Sequence, residues 1–264
     1  KISHPNNVIK CKIDLPASKS ISNRLLIIQA LCEKKFKINN LSNSDDTILL
    51  QKALHNHSNK IDIGASGTSL RFLTSYLAIL EGKEYILTGS KRIQERPIKD
   101  LVNTLNNIGS KIKFVKKTET APLHIIGQKL LGGVVKIKGD ISSQFISSLL
   151  LIAPTLQKGL EIIIEKQTVS TSYIQMTLKI MREFGVSSIW KNNKITVKPQ
   201  KYIAKDYTIE SDWSSAAFWF EIGALSKECN ITLTGLNKES FQGDSILPNI
   251  FSNIYLKSKF DKNE

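Results

Sequence analysis

Lys60-Ile61-Asp62-Ile63-Gly64-Ala65-Ser66 echoes the earlier stretch Lys12-Ile13-Asp14-Leu15-Pro16-Ala17-Ser18, and each runs into a segment with helical spacing of apolar residues. An apolar alternation that ends in Gly, Pro or Ser and passes into a 3.6-residue period reads as strand, turn and helix. Gly139-Asp140-Ile141-Ser142-Ser143 and Ser211-Asp212-Trp213-Ser214-Ser215 form a second pair of such turns. Self-similarity of this kind marks one supersecondary unit used several times.

Outward from Lys60, the pattern predicts a helix over 68–80, a strand over 85–87, a helix over 97–108 and short strands over 111–115 and 123–126. From Val134 the order recurs, with helices over 143–152 and 172–184 and strands over 160–164, 186–190 and 194–197. The period is about 73 residues. Pro97 stands where a first-turn proline belongs, and Gly109 and Gly185 stand as C-terminal caps. A third unit opens over 207–210, continues with a helix over 214–225, a strand over 230–233 and a helix over 245–250, and dissolves into Lys257-Ser258-Lys259-Phe260-Asp261-Lys262-Asn263-Glu264. Its closing strand pair is missing, so the sequence reads as incomplete, with a helix face and strand edges lacking partners. The class is α/β, or α+β in some schemes, built from repeated βαβαββ units.

With 264 residues and 41% hydrophobic content, the chain can bury a core in one or two domains. Its 37 Lys and Arg against 23 Asp and Glu leave a net charge of +14, which suits nucleic acid, an acidic membrane or phosphorylated substrates, or simply lysines on solvated faces. Cys11, Cys32 and Cys229 are an odd, scattered set without a Cys-x-x-Cys pair, arguing against a disulfide framework or a zinc site and for a reducing cytoplasm. The most apolar stretch, over 145–153, is far shorter than a membrane helix requires. The sequence starts at Lys1 rather than Met, without a visible signal peptide.

Ser18-Lys19-Ser20-Ile21-Ser22-Asn23-Arg24 sets a lysine at the positive end of a helix, where the dipole disfavours a cation. A bound anion removes that penalty. Free backbone N–H groups, the hydroxyls of Ser18, Ser20 and Ser22, and Arg24 about one turn on would cradle its oxygens. The same residues also fit a serine N-cap flanked by surface cations.

Gly64-Ala65-Ser66-Gly67-Thr68-Ser69-Leu70-Arg71 lets the backbone approach a ligand at Gly67 and again puts an arginine on the opening helix; a tight turn with Arg71 paired to a carboxylate fits too. It is neither a Walker loop nor a dinucleotide fingerprint. Ser142-Ser143-Gln144 offers hydroxyls and an amide, or an N-cap, in register with the other turns. Arg96, between Glu95 and Pro97, is either another cation-bearing turn or half of a surface pair with Glu95. Ser170 and Tyr173 open a further helix and can donate hydroxyls. His55 and His57 lack a second cluster of metal ligands, His4 and His124 stand isolated, and Asp45-Asp46 reads as an acidic first turn complementing a helix dipole.

In their order, Leu15-Pro16-Ala17-Ser18-Lys19-Ser20, Ser44-Asp45-Asp46, Gly67-Thr68, Glu95-Arg96-Pro97-Ile98, Ser142-Ser143-Gln144-Phe145 and Gln242-Gly243-Asp244 resemble the 5-enolpyruvylshikimate-3-phosphate synthase family over nearly the whole chain. The resemblance implies transfer of the enolpyruvyl (carboxyvinyl) group of phosphoenolpyruvate to the 5-hydroxyl of shikimate 3-phosphate, with release of phosphate, in cytoplasmic aromatic amino-acid biosynthesis. It implies that Lys19 touches both substrates and stabilises charge, and that Ser20, Arg24, Ser142, Ser143 and Ser170 hold shikimate 3-phosphate. Gln144 would bridge toward phosphoenolpyruvate, Gly67 and Arg96 would line its pocket, and Thr68, Arg71 and Tyr173 would support it.

The family fold implies two lobes of βαβαββ units: the start of a second lobe over 1–13, a substrate-binding lobe over 14–210, and an incomplete part of the second lobe over 211–264. The proton-transferring carboxylates would then lie beyond the last residue, so the chain alone should not turn over. The complete protein would be a monomer needing no cofactor or metal, with no nucleic-acid or membrane partner.

Two positions depart from the family pattern: Ala65 stands where Asn is usual, and a strand pair usual between His55 and Lys60 is shortened. The related enolpyruvyl transferase acting on UDP-N-acetylglucosamine typically carries Lys-Asn at the first turn and a reactive loop cysteine. Here Ser20 follows Lys19 and no cysteine lies near Arg96. A basic nucleic-acid-binding module is favoured only by the net charge, without an aromatic stacking motif.

Overall fold

Side-chain caps close all four strand-to-helix turns. Ser18 accepts from the Ile21 N–H (3.5 Å), Ser66 from Ser69 (3.2 Å), Ser142 from Gln144 (3.2 Å) and Asp212 from Ser215 (3.2 Å). Each cap satisfies one of the donors that a helix start leaves unpaired, which is why short polar residues recur there. The computed structural model describes residues 7–56, 58–140, 142–167, 169–254 and 256–261. Lys1, His4, His57, Ile141 and residues 262–264, touched on above, lie outside the described residues.

The chain opens with β1 (Val8–Asp14), α1 (Lys19–Leu31), β2 (Ile38–Asn39) and α2 (Asp45–His55). Next come β3 (Lys60–Asp62), α3 (Gly67–Ala78), β4 (Glu84–Thr88), α4 (Lys99–Asn107), β5 (Lys111–Phe114) and β6 (Leu123–Ile126). The same order returns in β7 (Gly133–Lys138), α5 (Ser143–Ile152), β8 (Leu160–Glu165), α6 (Thr171–Glu183), β9 (Ile189–Lys191) and β10 (Lys194–Val197). β11 (Tyr207–Thr208), α7 (Trp213–Leu225), β12 (Glu228–Thr234) and α8 (Leu247–Ser252) follow.

The two repeats build matching four-stranded sheets, ordered β3-β4-β6-β5 and β7-β8-β10-β9, each with one parallel pair followed by two antiparallel pairs. Equivalent positions even touch: the hydroxyls of Ser75 in α3 and Ser148 in α5, 73 residues apart, are hydrogen-bonded. On β7, Val135 and Ile137 are buried while Lys136 and Lys138 face solvent. On β5, Ile112 is buried between exposed Lys111 and Lys113. Strands with one covered face alternate in this way, and these four lysines lie on the other face.

Helices fill the interior. α5 packs against α3 and α6, with α1 and α2 alongside, and Leu70, Phe72, Leu73, Phe145, Ile146, Leu149 and Ile174 are buried where they meet. Gly109 (φ +102°) and Gly185 (φ +81°) end α4 and α6 in the left-handed conformation expected of C-terminal caps. A smaller cluster of Leu15, Trp213, Ala216 and Phe220 lies under β1 and β12, which pair in parallel from Val8–Glu228 to Asp14–Thr234. Between the larger and smaller clusters the chain crosses twice, side by side. Ala17 bridges Ser211, the Ser18 N–H donates to the Glu210 carbonyl (2.9 Å), and the Asp212 N–H donates to that of Pro16 (2.8 Å).

Local expectations fail where a residue serves a neighbour instead of its own element. Pro97 lies outside α4, whose N-cap is Ile98, and its carbonyl accepts from Arg71. Val186 closes α6, its N–H donating to the Met181 carbonyl (3.0 Å), so β9 starts only at Ile189. The helix expected over 245–250 is a 3₁₀ turn, Gly243–Ile246, followed by α8 with a proline in its first turn. His124 is not isolated: its Nε2 lies 2.5 Å from Glu84 Oε1 across β4 and β6. Among the described residues no strand separates α2 from β3, as the shortened segment implied.

Candidate functional site

Lys19 opens α1 with half of its side chain in solvent, and its Nζ lies 3.0 Å from Asp46 Oδ2. Asp45 and Asp46 do occupy the acidic first turn of α2, but Asp46 also supplies a counter-ion to Lys19. The Asp46 carbonyl accepts from the Ser69 hydroxyl (3.2 Å), and Ser69 is joined to the cap Ser66 (2.6 Å). The first turn of α2 thus links the first cation-bearing turn to the second. Partly exposed ion pairs contribute roughly 0–1 kcal/mol. Asp46→Asn is therefore expected to shift the melting temperature by only a few degrees, and to tighten inorganic phosphate binding by releasing Lys19. Calorimetric titration checks this, and weaker phosphate binding would contradict it.

Arg24 lies deeper than the sequence suggests, with 3% of its surface exposed. Its Nε donates to Thr177 Oγ1 (2.7 Å), Nη1 to the Ser20 carbonyl (2.8 Å), and Nη2 to Ser147 Oγ and the Tyr173 carbonyl (3.2 Å each). A guanidinium has five donors, so these four bonds leave one Nη1 N–H for a ligand. The group also faces the rings of Phe72 (5.6 Å) and Tyr173 (6.0 Å). Burial lowers its pKa well below the ordinary arginine value, to about 10. Among the described residues it forms no ion pair with a carboxylate. The sequence hid this depth, because Ser147 and Thr177 look like ordinary helix residues.

Arg71 repeats the arrangement on α3. Its Nη1 folds back to the Gly67 carbonyl (2.7 Å), Nη2 reaches that of Pro97 (3.5 Å), and the guanidinium faces Phe145 (5.8 Å). No carboxylate pairs with it among the described residues, and its buried Nε is unpartnered, so the alternative of a carboxylate-paired arginine is set aside. Burial, and then repulsion from Arg96, lowers its pKa to about 10. A Cβ at Gly67 would meet Arg71 Nη1 at 2.6 Å, so the missing side chain makes room for this fold-back. Arg96 is exposed just ahead of Pro97.

The starts of α5 and α6 join the same group. The Gln144 amide donates to Thr68 Oγ1 (3.4 Å), tying α5 to α3, while Ser148 Oγ donates to the Arg71 carbonyl (2.7 Å). Ser142 caps α5 and Ser143 is buried beside it. Ser170 is exposed at the N-cap of α6 with φ +54°, and its hydroxyl forms no capping bond. Tyr173, 37% exposed, stands over Arg24. Direct contacts join Gly67 to Arg71, Thr68 to Gln144 and Arg24 to Tyr173, and Lys19 is linked to α3 through Asp46 and Ser69. Arg96 joins through its charge alone, and Ser20, Ser142, Ser143 and Ser170 by their places at the helix starts. A cleft of about 440 Å³ beside Trp219, Phe220 and Leu236 contains none of these residues.

Residues 4–58 and 50–257 match the family model described as EPSP synthase (3-phosphoshikimate 1-carboxyvinyltransferase). A 3-phosphoshikimate 1-carboxyvinyltransferase of Bacteroides fragilis (strain YCH46) is 45% identical over 253 residues, covering 96% of this chain and 62% of the relative. One from Buchnera aphidicola subsp. Cinara cedri (strain Cc) is 38% identical over 289 residues, covering 98% of this chain and 66% of the relative. The chain thus spans less than two thirds of the length of these relatives. A solved EPSP synthase from Acinetobacter baumannii shares the fold with a TM-score of 0.73 at 22% identity, over 86% of this chain and 56% of that one. The repeated sheets, the order of the polar turns and the family match agree, and this chain belongs to the EPSP synthase family.

Proposed function

We propose that this chain is the substrate-gripping part of a 3-phosphoshikimate 1-carboxyvinyltransferase, in which the starts of α1, α3, α5 and α6 hold shikimate 3-phosphate against phosphoenolpyruvate. The observation that carries the reading is the pair of buried guanidiniums, Arg24 folded onto the starts of α1 and α6 and Arg71 onto the start of α3, neither with a carboxylate partner among the described residues. Cations desolvated in this way are costly unless an anion completes the site. Both proposed substrates are anions that repel each other in water. Lys19 and the spare Nη1 N–H of Arg24 would draw them together before the 5-hydroxyl attacks the enolpyruvyl carbon.

In this reading Ser20, Arg24, Ser142, Ser143 and Ser170 contact shikimate 3-phosphate, Gln144 and Lys19 face both substrates, and Gly67 and Arg96 border phosphoenolpyruvate. Thr68, Arg71 and Tyr173 set those groups in place. Residues 14–210 form the gripping lobe, and the segments over 1–13 and 211–264 belong to a second one. The test is shikimate 3-phosphate-dependent release of inorganic phosphate from phosphoenolpyruvate by the full-length protein. Absence of release would contradict the assignment.

Binding of the phosphate monoester should strengthen as pH rises through its second ionisation near pH 6 and weaken with added salt, because the site presents cations and N–H donors. Titration at pH 5 and pH 7.5 reads the effect directly. Equal affinity at both would show that the dianion is not what the site selects.

A further inference from the structure

Gln242 lies in the Gln242-Gly243-Asp244 motif, outside the polar turns, and 5% of its surface is exposed. All four hydrogen-bonding positions of its carboxamide are used. Oε1 accepts from Ser18 Oγ (2.9 Å) and the Trp213 N–H (3.1 Å), while Nε2 donates to Glu210 Oε1 (2.9 Å) and the Ser211 carbonyl (2.8 Å). Those partners lie on both of the chain crossings between the larger and smaller clusters. Ser18 is also the cap of α1 and immediately precedes Lys19.

The neighbouring residues fasten the same loop to α6. A Cβ at Gly243 would lie 2.7 Å from Ser172 Cβ, and the Lys179 ammonium stands 5.5 Å from the Phe241 ring. Glu210, itself buried, accepts from Ser240 Oγ and the Asn237 N–H. The segment over 237–243 therefore grips the start of α1 through Ser18 and the start of α6 through Ser172.

We infer that Gln242 is a positioning residue, whose carboxamide fixes the Ser18 cap and, through it, the placement of Lys19 relative to the Ser170–Tyr173 turn. The ligand served by that placement rests on the proposed function; the placement itself does not. Gln242→Glu loses both donors and sets a second carboxylate against Glu210. Adding Glu210→Gln restores one donor–acceptor pair in the reverse sense and removes the repulsion.

Hydrogen exchange at the Ile21 and Ser22 amides, which Ser18 holds, should speed at least tenfold in Gln242→Glu, while the Ser69 and Leu70 amides held by Ser66 stay unchanged. The Kd for shikimate 3-phosphate should rise at least tenfold, and the double variant should bring both readouts back to within threefold of the parent. Unchanged exchange at Ile21 and Ser22, equal loosening at Ser69 and Leu70, or no rescue would overturn the inference. Failure of the parent protein to bind shikimate 3-phosphate, with the exchange effect intact, would overturn the ligand and leave the positioning role standing.

Discussion

Lys19→Ala lowers kcat of the full-length protein at least 100-fold while leaving the melting temperature within a few degrees of the parent. In the proposed reaction Lys19 is a charged donor aimed at oxygens that gain negative charge, and removing such a donor costs about 10²–10³ in comparable sites. The small structural effect follows from where the residue sits. Lys19 is half exposed, its pair with Asp46 contributes roughly 0–1 kcal/mol, and a cation at a helix N-terminus opposes the dipole, so removing it relieves part of what is lost. Steady-state kinetics with a thermal melt separates the two roles. If activity falls only in step with unfolding, Lys19 is structural.

Arg24→Met weakens shikimate 3-phosphate binding about 10–100-fold, the worth of a charge-assisted hydrogen bond, without a large loss of stability. A buried cation lacking a counter-ion is a burden on the folded state, and replacing buried charge by an apolar side chain of similar volume is often neutral or stabilising. The hydroxyls released by the change already have one another: Thr177 Oγ1 lies 2.8 Å from the Tyr173 carbonyl and 3.0 Å from Ser147 Oγ. The pKa depression gives the same sign. Above about pH 10, up to the ordinary arginine range, the unfolded chain binds more protons at Arg24 than the folded one, so the penalty is fully present below pH 10 and fades as pH rises toward that range. A bound anion opposes that depression. A drop in melting temperature beyond about 10 °C in Arg24→Met would mark the residue as a structural strut instead.

Residues whose role is local were legible in the sequence. Ser18, Ser66, Ser142 and Asp212 announce helix starts because a cap needs only a short polar side chain and the next few N–H groups. The matched sheets followed from the recurrence of one pattern, and Gly109 and Gly185 from the backbone conformation they permit. Long-range partners were not legible. Nothing near Asp46 points to Lys19, and Gln242 reaches Ser18 across 224 positions.

Arg24 is instructive in the same way. Its cationic character at the first turn was readable, whereas its burial depends on Phe72, Ser147 and Thr177 arriving from three other helices. Pro97 misled because a proline ahead of a helix fits either its first turn or the segment before it, and here its carbonyl is engaged by Arg71.

The most direct measurement is a calorimetric titration of the protein with shikimate 3-phosphate beside shikimate, which differs only in lacking the phosphate. Saturable binding of shikimate 3-phosphate, at least 100-fold tighter than shikimate and lost in Lys19→Ala, is the expected result. Equal affinity for the two, or no binding of shikimate 3-phosphate by either this chain or the full-length protein, would contradict a site built from helix starts and buried arginines to hold that phosphate.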